Sequence, residues 1–311
     1  MSLITGVDIG GTKCAVVLGN EEGAVLKKLR FPTAKTPEET IEQIISAIEE
    51  LGVGESIGIS CGGPLDEKRG IIMSPPNLPG WDNIHITEML EKRFSVPVGL
   101  RNDANACALA EWKFGAGKGF ENVVFMTFGT GLGAGLILNG RLYSGTRGNA
   151  GEIGHIRLSE YGPSGYGKCG SFEGFCSGSG LRELGRGIAR GYIQRGQTPS
   201  FIAKCGIDGF DVADMAEAAR AGDPCAKEAF DACAAMLGKG LSVIEDILDP
   251  EIIIIGSVFA RCRDLLEKGA LAVMEREALG ATYSNCRLAV PLLGESIGDV
   301  AALAVGHDIM K

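Results

Sequence analysis

Two glycine-rich turns in the sequence offer backbone amides and a hydroxyl in an arrangement that suits phosphate. Residues 6–18 read GVDIGGTKCAVVL, and residues 129–133 read GTGLG between two further apolar runs. Amides without side chains in the way approach phosphate oxygens closely, although glycine also serves ordinary hairpins. Because the same chemistry occurs twice, we favour phosphate binding by Gly10, Gly11, Thr12, Lys13, Gly129, Thr130, Gly131 and Gly133.

Neither turn fits the two best-known nucleotide motifs. A dinucleotide fingerprint needs a helix after the glycines, whereas GTGLG is followed by the strand-like run AGLILNG. A P-loop ends in Gly-Lys-Ser/Thr, which is absent. The turns therefore indicate hairpins that present amides to phosphate, in a different fold.

Two further positions suit a bound nucleotide. Asp8 lies inside the first apolar run, where a carboxylate is costly unless it is paired or near a metal. We expect it to hold Mg²⁺ through water. The strand EIIIIG runs through Gly256 into a predicted helix, and an adenosine would lie at this crossing. A routine strand-to-helix connection is the alternative there.

Two polar groups of residues are candidates for chemistry on a hydroxylated substrate. Asn102 and Asp103 follow the strand-like VGLR and open a helix, so capping is one interpretation. The carboxyl end of a strand is also where ligands bind in open α/β sheets, and an aspartate there can accept a hydroxyl proton. Glu152 and His155 lie in the glycine-rich stretch GTRGNAGEIGHIRL and can bind sugar hydroxyls, unless the stretch is an ordinary polar loop.

The elements that must position these residues form a repeated pattern. The first 31 residues predict three strands, and the chain from Asn122 repeats a strand, a glycine turn and two more strands. A helix is predicted after Thr36, and others around 88–94, 104–115, 178–195, 211–221, 224–248 and 259–277. This pattern predicts two similar α/β lobes with a boundary near Gly115–Gly119.

Composition limits the class of protein. The chain has 311 residues, a formal net charge of −9 and no run of Lys or Arg longer than two, which argues against sequence-independent nucleic-acid binding. No stretch reaches the roughly 20 apolar residues of a membrane span, and MSLITGVDIG does not read as a secretory signal. Ten dispersed cysteines are expected to be reduced thiols of a cytoplasmic protein.

Taken together, these motifs resemble the ROK family of sugar kinases and sugar-responsive repressors, almost from end to end. The matching pieces are DIGGTK at 8–13, GGP at 62–64, NLPGW at 77–81, NDAN at 102–105, GTGLG at 129–133 and GNAGEIGH at 148–155. The resemblance implies a two-lobed, actin-like ATPase fold of the ribonuclease H-like class, with the active site in the interdomain cleft. It implies lobes of residues 1–116 plus a C-terminal helix at about 295–311, and of residues 117–294.

The resemblance also implies roles for individual residues. Asp103 would be the general base, and the phosphates would be lined by the two turns. The sugar would be bound by Gly63, Asn102, Asp103, Glu152, His155 and Glu173. ATP and Mg²⁺ are the implied cofactors, and a homodimer is the implied assembly, without nucleic-acid or membrane partners.

One departure from the family pattern concerns zinc. Many members carry a zinc cluster formed by the histidine of GEIGH and three cysteines in a C-x-C-G-x-x-G-C-x-E arrangement. This chain has KCGSFEGFCSGSG, in which only Cys169 falls on that pattern and Cys176 stands seven residues later. Because structural zinc takes four nitrogen or sulfur ligands, we expect no zinc here and expect packing of Phe172 and Phe175 to hold the loop.

The predicted activity is transfer of the γ-phosphoryl group of ATP to a hexose hydroxyl, with the 6-hydroxyl of glucose or a related hexose as first candidate. The alternatives within the family are N-acetylmannosamine or other N-acylhexosamine kinases, fructokinase and allose kinase. A non-catalytic sugar-sensing regulator is the rival of another class. Family repressors carry an N-terminal helix-turn-helix, whereas here the first predicted strand begins within five residues of Met1, which favours the kinase.

Overall fold

A computed structural model describes residues 2–283 and 285–310 of the chain. Its strands are β1 Leu3–Ile9, β2 Lys13–Asn20, β3 Val25–Pro32, β4 Ser56–Cys61, β5 Leu65–Asp66, β6 Ile71–Ile72, β7 Val98–Asn102, β8 Val123–Phe128, β9 Leu132–Leu138, β10 Arg141–Leu142, β11 Ser164–Gly165, β12 Lys168–Cys169, β13 Ile252–Ile255 and β14 Arg287–Ala289. Its α-helices are α1 Pro37–Leu51, α2 Ile86–Phe94, α3 Asp103–Phe114, α4 Phe172–Phe175, α5 Gly178–Gln194, α6 Ser200–Cys205, α7 Val212–Arg220, α8 Pro224–Leu248, α9 Val258–Arg261, α10 Arg263–Glu277, α11 Gly280–Tyr283 and α12 Ile297–Asp308.

Two five-stranded sheets have the same strand arrangement. The first has the order β3-β2-β1-β4-β7, in which β1, β2 and β3 are antiparallel neighbours and β1, β4 and β7 are parallel. The second has the order β10-β9-β8-β13-β14, with β9 and β10 antiparallel and β13 and β14 parallel. The repeat predicted from the two glycine turns is therefore confirmed in the order of the strands.

Helix α12 packs against the first sheet at positions where both elements have only glycine or alanine. A Cβ on Gly58 of β4 would lie 2.1 Å from the carbonyl oxygen of Ala302 and 2.2 Å from the amide nitrogen of Gly306, both in α12. A Cβ on Gly6 of β1 would lie 3.0 Å from Ala302 Cβ. Helix and sheet approach this closely only because these residues lack bulk. Helix α1 buries Ile41, Ile44 and Ile48, the apolar positions that its period predicts.

The predicted helices are present, with two corrections. The single helix expected over 259–277 is two helices, α9 and α10, because Cys262 leaves the helical conformation, with φ −118° and ψ 27°. Helix α6 and strand β14 were not predicted, since segments of three to six residues carry too little periodicity. No helix in the described part of the chain is both long and apolar enough to cross a bilayer.

Contacts along the chain divide it into two units. One unit holds the residues up to Phe125, Gly135–Gly151 and the residues from Pro291 on; the other holds Met126–Ala134 and Glu152–Val290. The lobes of 1–116 plus about 295–311 and of 117–294 stay a prediction. Met1, Ser284 and Lys311, which fall within those predicted lobes, lie outside the described residues.

Candidate active site

The first glycine turn, in the first unit, closes β1 onto β2 and leaves its tip open. The Gly10 amide donates to the Lys13 carbonyl at 3.2 Å, and the Thr33 hydroxyl donates to the Gly10 carbonyl at 2.6 Å. A Cβ on Gly11 would lie 2.4 Å from the carbonyl oxygen of Asn77, so only glycine fits there. The three residues after Gly10 are exposed. The turn is therefore held at its base, with amides free to meet an anion.

Asp8 lies within β1, opposite Ala15 of β2 and Ser60 of β4. Burial raises its pKa from 3.8 to about 6, and the negative charges of Asp299 and Asp103 add to this rise. Asp299 is itself ion-paired with Lys28. The structure thus brings the candidate magnesium residue and the candidate base of the first unit into electrostatic contact. The position of Asp299 beside Asp8 was not predicted, because the two lie far apart in the sequence.

Asn102 and Asp103 stand where β7 ends and α3 begins. The Asn105 amide donates to Asn102 Oδ1 at 2.7 Å, so Asn102 caps the helix, as the local interpretation predicted. Its side-chain NH₂ group remains a donor for a ligand. The Asp103 side chain is open to solvent and accepts from the Ala104 amide at 2.8 Å. Desolvation by the surrounding protein nevertheless raises the pKa of Asp103.

Glu67 supports this corner and was missed by the sequence patterns. Its side chain is 5% exposed. Oε1 accepts from the Asn102 amide at 2.9 Å and from Asn105 Nδ2 at 2.9 Å. It follows the GGP motif of residues 62–64 in the same loop, but no sequence pattern distinguishes it from Asp66. Gly63, in the same loop, is exposed.

The second glycine turn lies in the second unit and is docked on the start of α5. The Gly129 amide donates to the Gly131 carbonyl at 3.1 Å. The Gly178 amide donates to the Gly129 carbonyl at 2.7 Å, and the Ser179 hydroxyl donates to the Thr130 carbonyl at 2.9 Å. Thr127 Oγ1 accepts from the Gly133 amide at 3.0 Å. The turn is held from both sides, while Thr130 remains exposed.

Glu173 joins this turn to the other polar residues of the second unit. Its Oε2 accepts from the Leu132 amide at 2.9 Å. A Cβ on Gly131 would lie 2.7 Å from the same oxygen, and a Cβ on Gly154 would lie 3.2 Å from Glu173 Cβ. Gly154 belongs to the 3₁₀ turn Ile153–His155. Residues 131–132, 153–155 and Glu173, which are far apart in the sequence, therefore meet around the Glu173 side chain.

Glu152 and His155 are placed at the two ends of that 3₁₀ turn. The His155 amide donates to the Glu152 carbonyl at 3.2 Å. Glu152 is exposed and His155 is half-buried, so both can reach a ligand. The structure brings Glu152, His155, Glu173 and the GTGLG turn together within one unit.

A cavity of about 840 Å³ adjoins the second turn, within the second unit. Thr130, Ser179 and Ser257 line it, and so do three arginines, Arg182, Arg220 and Arg261. Gly256 does not line it: that glycine is buried, and its amide donates to the Met126 carbonyl at 3.0 Å. Its neighbour Ser257, in the same strand-to-helix turn, does line the cavity, and the nucleotide role of Gly256 stays a prediction. The three arginines lie in three different helices, α5, α7 and α9, so no local sequence pattern predicts that they meet.

Comparison with known proteins gives the family. The model of the ROK family matches residues 4–306. The chain belongs to the ROK family. It is 34% identical over 315 residues to the glucokinase of Streptomyces coelicolor, covering 100% of this chain and 98% of that protein. Among solved structures, a ROK glucokinase from Streptomyces griseus in complex with glucose and AMPPNP superposes with a TM-score of 0.77 at 32% identity, covering 98% and 99% of the two chains.

A second solved ROK structure confirms the predicted fold class. A ROK hexokinase from Thermus thermophilus has a TM-score of 0.83 at 30% identity, covering 99% of both chains. The mixed α/β chain thus has the two-lobed, actin-like ATPase fold of ROK sugar kinases. The roles of individual residues stay predictions.

The residues of this ROK chain do not fit the family's zinc cluster. The Cys169 thiol donates to the Gly162 carbonyl at 3.1 Å, and the buried Cys176 thiol lies 3.6 Å from the Cys233 carbonyl. Burial raises the pKa of Cys176 well above its usual value, which disfavours the thiolate that a metal needs. Across residues 2–283 and 285–310, no three His, Cys, Asp or Glu side chains are grouped to hold a metal ion.

Proposed function

We propose that this ROK-family chain is an ATP-dependent hexose kinase that phosphorylates the 6-hydroxyl of glucose or a related hexose. The observation that carries the proposal is the bond from the Leu132 amide to Glu173 Oε2, 2.9 Å long. It joins a turn suited to phosphate to a carboxylate suited to sugar hydroxyls. The similarity to glucokinases over the whole chain supports the same conclusion.

Nucleotide binding would use both glycine turns and the cavity beside the second. The amides of Gly11 and Gly131 and the hydroxyls of Thr12 and Thr130 would receive the phosphates, where fixed donors stabilise developing charge without reorganising. The amides of Gly10, Gly129 and Gly133 donate within the protein and would hold the turns in shape. The cavity of about 840 Å³ is large enough for the nucleoside. One of the arginines that line the cavity, Arg220, donates two hydrogen bonds of 2.8 Å to the Asp264 carboxylate, which fixes its guanidinium group.

Asp103 would act as the general base. Phosphoryl transfer needs mainly alignment and charge neutralisation, and a positioned carboxylate takes the proton as the hydroxyl oxygen attacks phosphorus. Its raised pKa makes it a better proton acceptor than an ordinary aspartate. Mg²⁺ would neutralise phosphate charge when bound, and the Asp8 carboxylate offers the hard oxygen donor that this ion prefers.

Sugar binding would use hydrogen bonds to several hydroxyls. Carboxylates accept such bonds, and amide and imidazole groups donate or accept them. The residues proposed for this role are Gly63, Asn102, Glu152, His155 and Glu173. A site built this way discriminates strongly against sugars that lack one of the hydroxyls, so the activity should depend on the identity of the hexose.

The first experiment measures ADP release with Mg-ATP across a panel of hexoses and N-acylhexosamines. We expect strong turnover with one sugar. Asp103→Asn should lower kcat at least about 100-fold, the low end for a general base, while sugar binding persists. Asp231→Asn, an exposed site on α8, is the matched control and should leave turnover unchanged. Near-normal turnover in Asp103→Asn would contradict the assignment of the base.

The same panel separates the alternatives. Turnover confined to N-acylhexosamines, fructose or allose would reassign the substrate and keep the kinase. Thermal stabilisation by a sugar without any ADP release would instead indicate a sugar sensor.

We also propose a cytoplasmic homodimer. All ten cysteines are unbridged, which suits a reducing compartment, and the family resemblance supports the dimer. Light scattering of the purified protein tests the assembly.

A further inference from the structure

A small hairpin lies between His155 and Glu173 in the second unit. Strands β11 and β12 pair Ser164 with Cys169 and Gly165 with Lys168. The two residues at its tip, Tyr166 and Gly167, have φ of 45° and 77°. Two positive φ values in a two-residue turn match the twist of the flanking strands. The tip is therefore a defined two-residue turn.

This hairpin holds His155 at two places. The Tyr166 ring meets the imidazole edge-on, with centroids 5.2 Å apart and planes at 82°. Lys168 Nζ donates to the His155 carbonyl at 2.7 Å. One contact orients the ring and the other fixes the backbone.

The hairpin is itself anchored on the segment that carries Glu173. A Cβ on Gly165 would lie 2.7 Å from the Gly174 amide nitrogen and 2.9 Å from both Glu173 Cβ and Ser171 Oγ, so strand and helix α4 touch directly. The Gly170 amide donates to the Pro163 carbonyl at 2.9 Å. Buried Phe172 and Phe175 complete the support. Movement of His155 relative to Glu173 would require this whole assembly to shift.

Protein contacts hold His155 in this chain, whereas the resemblance to the ROK family implies a metal at this histidine. In many family members the histidine of GEIGH is a zinc ligand, whereas the two loop cysteines of this chain point to the carbonyls of Gly162 and Cys233. We propose that the hairpin Ser164–Cys169 is a metal-independent clasp for His155, with Tyr166 as a positioning residue for sugar binding. The proposal rests on the proposed function, because it takes His155 to bind the sugar.

Kinetics of three variants test the clasp. Tyr166→Ala should raise the KM for the sugar about 3- to 10-fold, the size of one aromatic contact. It should leave the KM for ATP unchanged and kcat within about twofold. Tyr166→Phe keeps the ring and should retain the wild-type KM. Tyr161→Ala is the matched control, because Tyr161 lies in the same loop and is 80% exposed, against 76% for Tyr166.

Two further measurements do not depend on activity. The chain has three histidines, so their imidazole signals can be assigned by NMR. Tyr166→Ala should shift the signals of His155 alone, since the ring current next to it is lost, and Tyr161→Ala should shift none. Metal analysis of the protein should show no stoichiometric zinc. As a kinetic check beside it, chelation should leave the sugar KM unchanged.

The outcomes separate the clasp from the enzyme activity. Unchanged His155 signals in Tyr166→Ala, an unchanged sugar KM, or bound zinc whose removal raises that KM would each overturn the clasp. If the wild-type protein shows no sugar-dependent turnover, the proposed function fails, while the NMR and metal measurements still decide the clasp.

Discussion

At the scale of single residues, Asp8 carries a charge that its surroundings disfavour. It lies in β1, and burial together with Asp299 and Asp103 raises its pKa to about 6. The free-energy cost of ionising a buried carboxylate beside other carboxylates is typical of a site that binds a cation, because the bound ion offsets the repulsion. The raised pKa of Asp8 is thus consistent with its proposed role in holding magnesium.

Asp8→Asn should stabilise the protein at neutral pH in magnesium-free buffer. Because the folded-state pKa of Asp8 exceeds its unfolded value of 3.8, ionisation penalises folding. The penalty is absent below pH 4, grows as the pH rises, and is complete above pH 7. The variant should then gain about 2–3 kcal/mol over wild type.

Urea unfolding between pH 4 and 8, followed by tryptophan fluorescence, checks this. Trp81 and Trp112 both lie in the first unit and so report its unfolding. A stability difference that does not change with pH would contradict the prediction. The exposed-site variant Asp231→Asn should show no such trend.

At the scale of elements, the first sheet depends on the absence of side chains where α12 crosses it. Gly58 of β4 meets backbone atoms of the helix and not flexible side-chain ends. The helix and the sheet cannot both keep their positions if that space is filled. This packing holds together segments that are more than 200 residues apart.

Gly58→Ala should lower the free energy of unfolding of the first unit by about 3 kcal/mol, the upper end for overpacking. Its added Cβ would lie 2.1 Å from the Ala302 carbonyl oxygen, so the backbone must shift. Gly62→Ala is the control, since a Cβ there meets nothing within 4 Å; its effect should stay within about 0.5 kcal/mol. Urea unfolding followed by tryptophan fluorescence measures the stability of both variants. Equal stabilities for the two variants would refute the close-packing account.

At the scale of the whole chain, a buried glutamate joins distant segments of the first unit. Glu111 in α3 accepts from the amides of Leu292 at 3.2 Å and Leu293 at 3.0 Å, just before α12. It also accepts from the Ala116 amide at 2.7 Å, where the chain leaves α3. The returning C-terminal segment is therefore fixed by one fully buried carboxylate.

Glu111→Gln should cost about 2 kcal/mol, because its NH₂ group faces backbone amides that are also donors. Hydrogen exchange is the informative measurement: amides of α12 should lose protection, whereas those of α5 in the second unit should not. Glu42→Gln, at an exposed position of α1, is the control. Unaltered exchange in α12 would show that the carboxylate does not hold the segment.

The sequence alone determined the features that short spacings encode. Glycines with a threonine between apolar runs predicted both turns, and the repeat of that pattern predicted two similar lobes that each open with three strands. The helical period identified α1, and Asn102 was foreseen as a cap. Each of these follows from neighbours within a few residues, whose conformational preferences act locally.

Only the tertiary structure decided which distant groups meet. No sequence pattern predicts three of these pairs, because their partners lie 35, 41 and 291 residues apart. They are Glu67 with the Asn102 amide, Glu173 with the Leu132 amide, and Asp299 with Asp8. The His155 clasp depends likewise on a hairpin too short to predict from its strands. Contacts of this kind depend on how the folded chain brings separate segments together, and no local propensity encodes that.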